Sequence, residues 1–262
     1  MQILLTNDDG IHAPGLAAME RELAKMGDVW VVAPATEQSG VGHSITFLSP
    51  LLVQEVYDGP RRRGWAVEGS PADCVKIAVT ELVPRAPDLV VSGINGGLNA
   101  GINVLYSGTV AAAIEGAFVG ITSVAVSLEF DEQAQFDQAA RLASKVIRQI
   151  QERIAATEGN PNRSEAESRL FNLNIPTVAL AQPTKVQIVP MSVAPYEEAF
   201  EQRRDPRGRR YYWAAGGPTT NVESEETDLS ALKKGFVTLT PLDYDLTRRC
   251  DLESMRKWKF EP

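Results

Sequence analysis

The chain has 262 residues, 44% of them hydrophobic, and a net charge of −8 at pH 7. That length suits one large α/β domain, with or without an appended subdomain, and the acidic balance argues against a polymeric nucleic acid as the main partner. Cys74 and Cys250 make neither a metal spacing nor a disulfide framework, and with no basic leader or long apolar segment in view the expectation is a cytoplasmic protein without a membrane partner.

Gln2 to Thr6 is an apolar run of the length of a buried strand, and it ends in Asn7-Asp8-Asp9-Gly10. These residue types favour turns. Ligands of open α/β sheets bind outside the carboxyl ends of the strands, however, and paired carboxylates there suit a hard cation. A helix is expected over 15–26, with Leu16, Met19, Leu23 and Met26 as its stripe and Gly27 as its C-cap. Asp28 to Pro34 is the second buried strand, so a strand–helix–strand unit opens the chain. The polar loop ATEQSGVGHSIT then places Ser39 and Gly40 beyond that strand, facing the same crevice. Leu51 to Tyr57 and Gly64 to Val67 read as strands, joined by a turn that carries Arg61, Arg62 and Arg63. Ser70 as N-cap, Pro71 at the first helical position and Asp73 in the first turn start the next helix, with Cys74 beside its buried stripe.

Pro87 to Ser92 is the third buried strand. GINGGLNAG follows, with Asn95 and Asn99 among four glycines, which implies positive φ values or a close backbone approach to a ligand. Ser107 or Thr109 can cap the helix that begins at 110, whose small residues allow close packing on a sheet. A helix N-terminus with free amides and a hydroxyl is an anion site. Ile121 to Leu128 is a fourth strand, Phe136 to Ile154 a long amphipathic helix, 157–168 a polar loop and Phe171 to Ile175 a short strand. Residues 185–222 read as a β-rich extension, with strands at 185–190 and around Tyr211 to Trp213. One or two helical turns at 228–234, a last strand at Gly235 to Thr240 and a tail with Leu252, Met255 and Trp258 near helical spacing complete the chain. The expected fold is α/β, a mostly parallel sheet flanked by helices.

Three strand ends thus present Asp8, Asp9, Ser39 and Asn95, all oxygen donors, which suit Mg²⁺, Mn²⁺ or Ca²⁺ rather than zinc. Opposite them lies the possible anion cradle at Ser107 to Thr109, and metal plus cradle points to phosphoryl transfer or hydrolysis. His12 and His43 flank the two nearest loops, where either could protonate a leaving alkoxide or simply be a solvated loop histidine. The first strand leads to NDDG rather than to a G-x-G-x-x-G turn, which argues against an oxidoreductase. A non-catalytic nucleotide-binding or interaction module is the remaining alternative.

Taken together, TNDDGIHAPG, SGVGHSIT, GSPADCV, VSGINGGLNAG and YSGTVAAAIEG closely resemble the SurE family, survival protein E. NLNIP (172–176), DPRGRRYYW (205–213) and GFVTLTPLDYDLT (235–247) extend the resemblance over essentially the whole chain. It implies a metal-dependent phosphatase of nucleoside 5′- and 3′-monophosphates, with polyphosphate as a further substrate of some members. It also implies a Rossmann-like core, here 1–184, with the extension 185–262 swapped between subunits of a homodimer or homotetramer and its last strand, 235–240, able to return to the core, so that truncation after about residue 225 should break the assembly. By the family pattern Asp8, Asp9, Ser39 and Asn95 hold one Mg²⁺ or Mn²⁺ per subunit and Asp8 and Asp9 are the catalytic carboxylates. Gly40, Asn99, Ser107, Gly108 and Thr109 are expected on the phosphate and substrate side.

Overall fold

The computed structural model describes residues 1–157, 169–182, 184–197, 199–215, 217–218 and 226–260. Its strands are β1 (Gln2–Thr6), β2 (Asp28–Pro34), β3 (Val53–Asp58), β4 (Arg61–Val67), β5 (Leu89–Gly96), β6 (Thr122–Leu128), β7 (Leu170–Ile175), β8 (Val186–Ile188), β9 (Tyr196–Glu197), β10 (Phe200–Arg204), β11 (Arg210–Ala214), β12 (Gly217–Pro218) and β13 (Val237–Leu242). Its helices are α1 (Pro14–Leu23), α2 (Pro71–Ile77), α3 (Gly108–Phe118), α4 (Phe136–Thr157), α5 (Val178–Ala181), α6 (Asp228–Lys233) and α7 (Arg249–Met255), with a 3₁₀ turn at Gly101–Tyr106.

Nine strands form one sheet in the order β3-β4-β2-β1-β5-β6-β7-β13-β8. The six from β4 to β7 run parallel. The hairpin strand β3 is antiparallel at one edge, and β13 lies antiparallel to β7 and parallel to β8 at the other. The pairs β10–β11 and β9–β12 form two small antiparallel ladders of their own. Strands covered on both faces read as apolar runs, as Ile3 to Leu5 of β1 does, whereas β6 is buried throughout with Thr122, Ser123 and Ser127 among its apolar residues. Leu16, Met19 and Leu23 of α1 join Ala139, Ala143 and Ile147 of α4 in the core on one face, whereas Cys74 and Val75 of α2 and Val110 and Ala113 of α3 pack on the other.

From β1 the chain moves outward to β2 and β4, then crosses back to β5 and continues to β6 and β7. The strand order therefore reverses between β1 and β5, and the crevice beyond their carboxyl ends is the site such sheets offer to ligands.

Several boundaries differ from the sequence reading. Helix α1 closes at Ala24, and Gly27 is needed instead because a Cβ there would stand 2.2 Å from the Met1 carbonyl oxygen. The three arginines belong to β4, not to the turn, and Arg63 donates to Glu20 (2.8 Å) and to the Ile11 carbonyl (2.9 Å), tying β4 to the segment after Asp9. Strand β5 runs on through the glycines to Gly96, with a shifted register between Ser92 and Asn95. The polar loop expected at 157–168 lies, apart from Thr157 and its helix, outside the described residues.

Candidate active site

Asn7 to Gly10 is the turn its composition suggests: the Asn7 side-chain amide donates to the Gly10 carbonyl at 3.0 Å. That turn carries Asp8, which is buried, and Asp9, which is half-buried, to the switch point. There they line a crevice of about 290 Å³ together with Glu37, Ser39, Gly40, Asn95, Asn99 and Ser107. Among the described residues the wall holds three carboxylates and no lysine or arginine.

The charge is poorly compensated. Burial pushes the Asp8 carboxyl above its ordinary value, partly offset by the hydroxyl and the backbone amide of Thr109. Burial first, and the charge of Asp8 second, push Asp9 up to about 6, against one hydrogen bond from the Gly96 amide. Two partly desolvated carboxylates side by side are what a bound cation would relieve.

The oxygen donors fit a hard divalent cation. Asn95 donates its side-chain amide to the Gly97 carbonyl at 2.6 Å, which leaves its amide oxygen for a ligand. The Ser39 hydroxyl donates to Glu37 at 2.7 Å and keeps its lone pairs. Among the described residues no three His, Cys, Asp or Glu side chains form a metal cluster, so a cation here would rely on Asp8 and Asp9 plus neutral oxygens. Such a set leaves residual positive charge and open coordination positions for an anionic substrate.

Ser107 caps α3 by accepting from the Val110 amide at 3.1 Å, and it lines the crevice. Gly108 and Thr109 do not line it. Thr109 is fully buried and donates its hydroxyl to Asp8 at 2.6 Å, while its amide serves the same carboxylate. The helix N-terminus expected on the phosphate side is thus used in part by the protein's own anion. Gly108 is backbone clearance: a Cβ there would stand 3.0 Å from the Asp8 Cβ.

Asn99 lines the crevice from a dense polar network. Its carbonyl accepts from Asn172 (2.7 Å) and Asn174 (3.1 Å), its amide donates to the Asn174 side chain (2.9 Å), and its side chain donates to Ser127 (2.9 Å). The clamps from the NLN run of β7 were invisible to the sequence reading, as were Glu37, Leu98 and Asn103 in the wall, which Tyr106 also lines. Glu37 was within reach, since it stands two residues before Ser39 in a loop already assigned to the crevice. Neither histidine lines the crevice: His12 is exposed, and His43 Nε2 lies 2.7 Å from Glu115. The Cys74 thiol is pushed well up by burial and is inert.

Residues 3–198 match the family described as Survival protein SurE. The chain belongs to the SurE family. A protein of Rhodopirellula baltica named 5′-nucleotidase SurE is 54% identical over the full length of both chains. A SurE of Heliobacterium modesticaldum with the same name is 41% identical over 98% of this chain and 92% of its own. The crystal structure of a SurE protein from Aquifex aeolicus superposes with a TM-score of 0.81 at 35% identity, covering 98% of each chain, so the SurE likeness extends to the fold. Among the described residues no helix is long and apolar enough to cross a membrane.

Proposed function

We propose that the protein is a metal-dependent nucleotidase that hydrolyses nucleoside 5′-monophosphates, and also 3′-monophosphates, to nucleoside and phosphate. The observation that carries this reading is the poorly compensated carboxylate pair Asp8–Asp9 at the β1/β5 switch point, facing the capped start of α3. The name that full-length relatives carry supports the substrate class.

In this reading Asp8, Asp9, Ser39 and Asn95 would hold one Mg²⁺ or Mn²⁺ per subunit. When bound, the ion would supply charge for the phosphoryl oxygens and a more acidic water. Asp9, less tied down than Asp8, would be the carboxylate that orients the attacking water and accepts a proton. Asn99, Gly40 and Ser107 position the phosphate. Thr109 and Gly108 act on Asp8, the first by hydrogen bonding and the second by leaving room. An aspartate nucleophile is the rival mechanism, and trapping a phosphorylated Asp8 or Asp9 during turnover would establish it.

The same proposal takes 1–184 as the catalytic core and 185–262 as an assembly extension that returns β13 to the core sheet. A homodimer or homotetramer is supported by exposed apolar side chains in that extension, among them Phe200, Trp213 and Leu246. The free cysteines Cys74 and Cys250 suit a reducing cytoplasm.

The test is phosphate release from a panel of nucleoside monophosphates with Mn²⁺, with Mg²⁺ and with chelator, on wild type and Asp9→Asn. Release that needs metal and collapses in the variant is expected. Nucleotide binding without metal-stimulated release would make the protein a binding module.

A further inference from the structure

We propose that the His43–Glu115 pair is a latch that holds the loop bearing Ser39 and Gly40 against the helix whose start bears Ser107, and so sets the width of the crevice. The inference rests on the proposed function for its catalytic consequence, and on geometry alone for the latch. It makes His43 a positioning residue and removes it as the acid for the leaving group.

Residues 35–52 contain no helix or strand. A loop of that length keeps one conformation only if it is fastened. It is fastened on three sides. Toward β1, the Gln38 amide donates to the Asp8 carbonyl at 2.7 Å. Toward α2, the Ser44 carbonyl accepts from Ser70 at 2.7 Å, and the amide and hydroxyl of Thr46 donate to Asp73. Toward the opposite wall, the Gly42 amide donates to the Tyr106 carbonyl at 3.0 Å, and His43 reaches α3.

The His43 contact is built from both partners. Glu115 is 8% exposed in a helix otherwise made of small and apolar side chains. A carboxylate placed there needs a partner. His43 Nε2 supplies it at 2.7 Å, and Lys76 Nζ stands farther off at 3.8 Å. The His43 ring also stacks on Phe118, one turn further along α3, at 5.7 Å between centroids and 18° between planes. Phe118 is braced in turn by the edge of Tyr244 at 4.6 Å. Two contacts to one helix fix the ring's position and orientation. They also turn its Nε2 to Glu115, so that it does not line the crevice.

The test compares His43→Ala with His43→Gln, whose amide can still donate to Glu115. In the metal-free protein, hydrogen exchange of the 38–43 amides should quicken about tenfold in the alanine variant and return toward wild type in the glutamine variant, the effect of one charge-assisted hydrogen bond. Calorimetry should show Mn²⁺ binding weakened several-fold by His43→Ala and largely restored by His43→Gln. Turnover should fall by the same factor on a nucleoside monophosphate and on p-nitrophenyl phosphate, whose leaving group needs no proton. Unchanged exchange in His43→Ala would overturn the latch whatever the enzyme does. Equal losses in both variants on the nucleotide, with none on p-nitrophenyl phosphate, would make His43 the acid after all. A wild type without any turnover would defeat the proposed function, while the exchange data would still judge the latch.

Discussion

Asp9 illustrates the tension a binding site stores in a fold. Its raised carboxyl, near 6, means that the folded protein holds a proton which the unfolded chain, with an ordinary carboxylate near 4, releases. The penalty for its charge is therefore absent below about pH 4, grows between 4 and 6 and is complete above 6. Asp9→Asn should raise the stability of the metal-free protein at pH 7.5 by roughly 1 kcal/mol, because solvent at the open side screens the repulsion, and should gain little at pH 4. Thermal melts at the two pH values check this, and destabilisation at pH 7.5 would contradict it. Thr109→Val should cost about 1.5–3 kcal/mol by removing a buried donor from Asp8, with Thr109→Ser close to wild type, again read by melting. That Asp8, Asp9, Ser39 and Asn95 share one crevice was legible in the sequence, because a strand-end position can be read from local pattern. The work of Thr109, Asn172 and Asn174 was not, since their partners lie far away in the chain.

Strands β1, β2 and β6 could be read almost to the residue, and helices α3 and α4 to within two or three residues at their ends, because apolar runs and amphipathic spacing are local signals. Strand β5 was cut short because Gly93 and Gly96 read as a break, whereas the ladder to β6 resumes at Asn95. Helix α3 depends on smallness for its approach to the sheet. A Cβ at Gly116 would stand 2.4 Å from Ser123 Oγ and 2.7 Å from Val90 Cγ2, so Gly116→Ala should cost about 1–3 kcal/mol by overpacking, measured in urea. The start of α2 joins helix to loop. Asp73 completes the capping box with Ser70 and also receives Thr46. Burial raises its carboxyl, but the hydrogen bonds from Thr46 and Ser70 outweigh burial and hold it below the usual range. A depressed carboxyl gives stability that is present above the ordinary value and lost as pH falls through the folded one. Asp73→Ala should therefore cost about 1–2 kcal/mol at pH 7, and the gap from wild type should narrow as pH falls below the ordinary carboxylate range.

On the scale of the whole molecule, the β-rich extension and the return of its last strand to the core could be foreseen, but the place of that strand in the sheet could not. β13 sits between β7 and β8, with β7 antiparallel on one side and β8 parallel on the other. A cut after residue 225 would therefore remove an inner strand and not merely an assembly arm. A chain ending at Leu242 keeps the sheet and loses the exposed Leu246, Met255, Trp258 and Phe260. It should retain its circular dichroism and show a smaller mass by light scattering, and an unchanged mass would place the interface elsewhere. The sheet as a whole serves one end, where the order of strands reverses and the carboxylates meet. The most direct test of that claim is a calorimetric titration of Mn²⁺ into wild type and Asp9→Asn, both checked for fold. One site per subunit in wild type, lost in the variant, is the expected result. Equal binding by both proteins would contradict the assignment of Asp8 and Asp9 as the cation's seat.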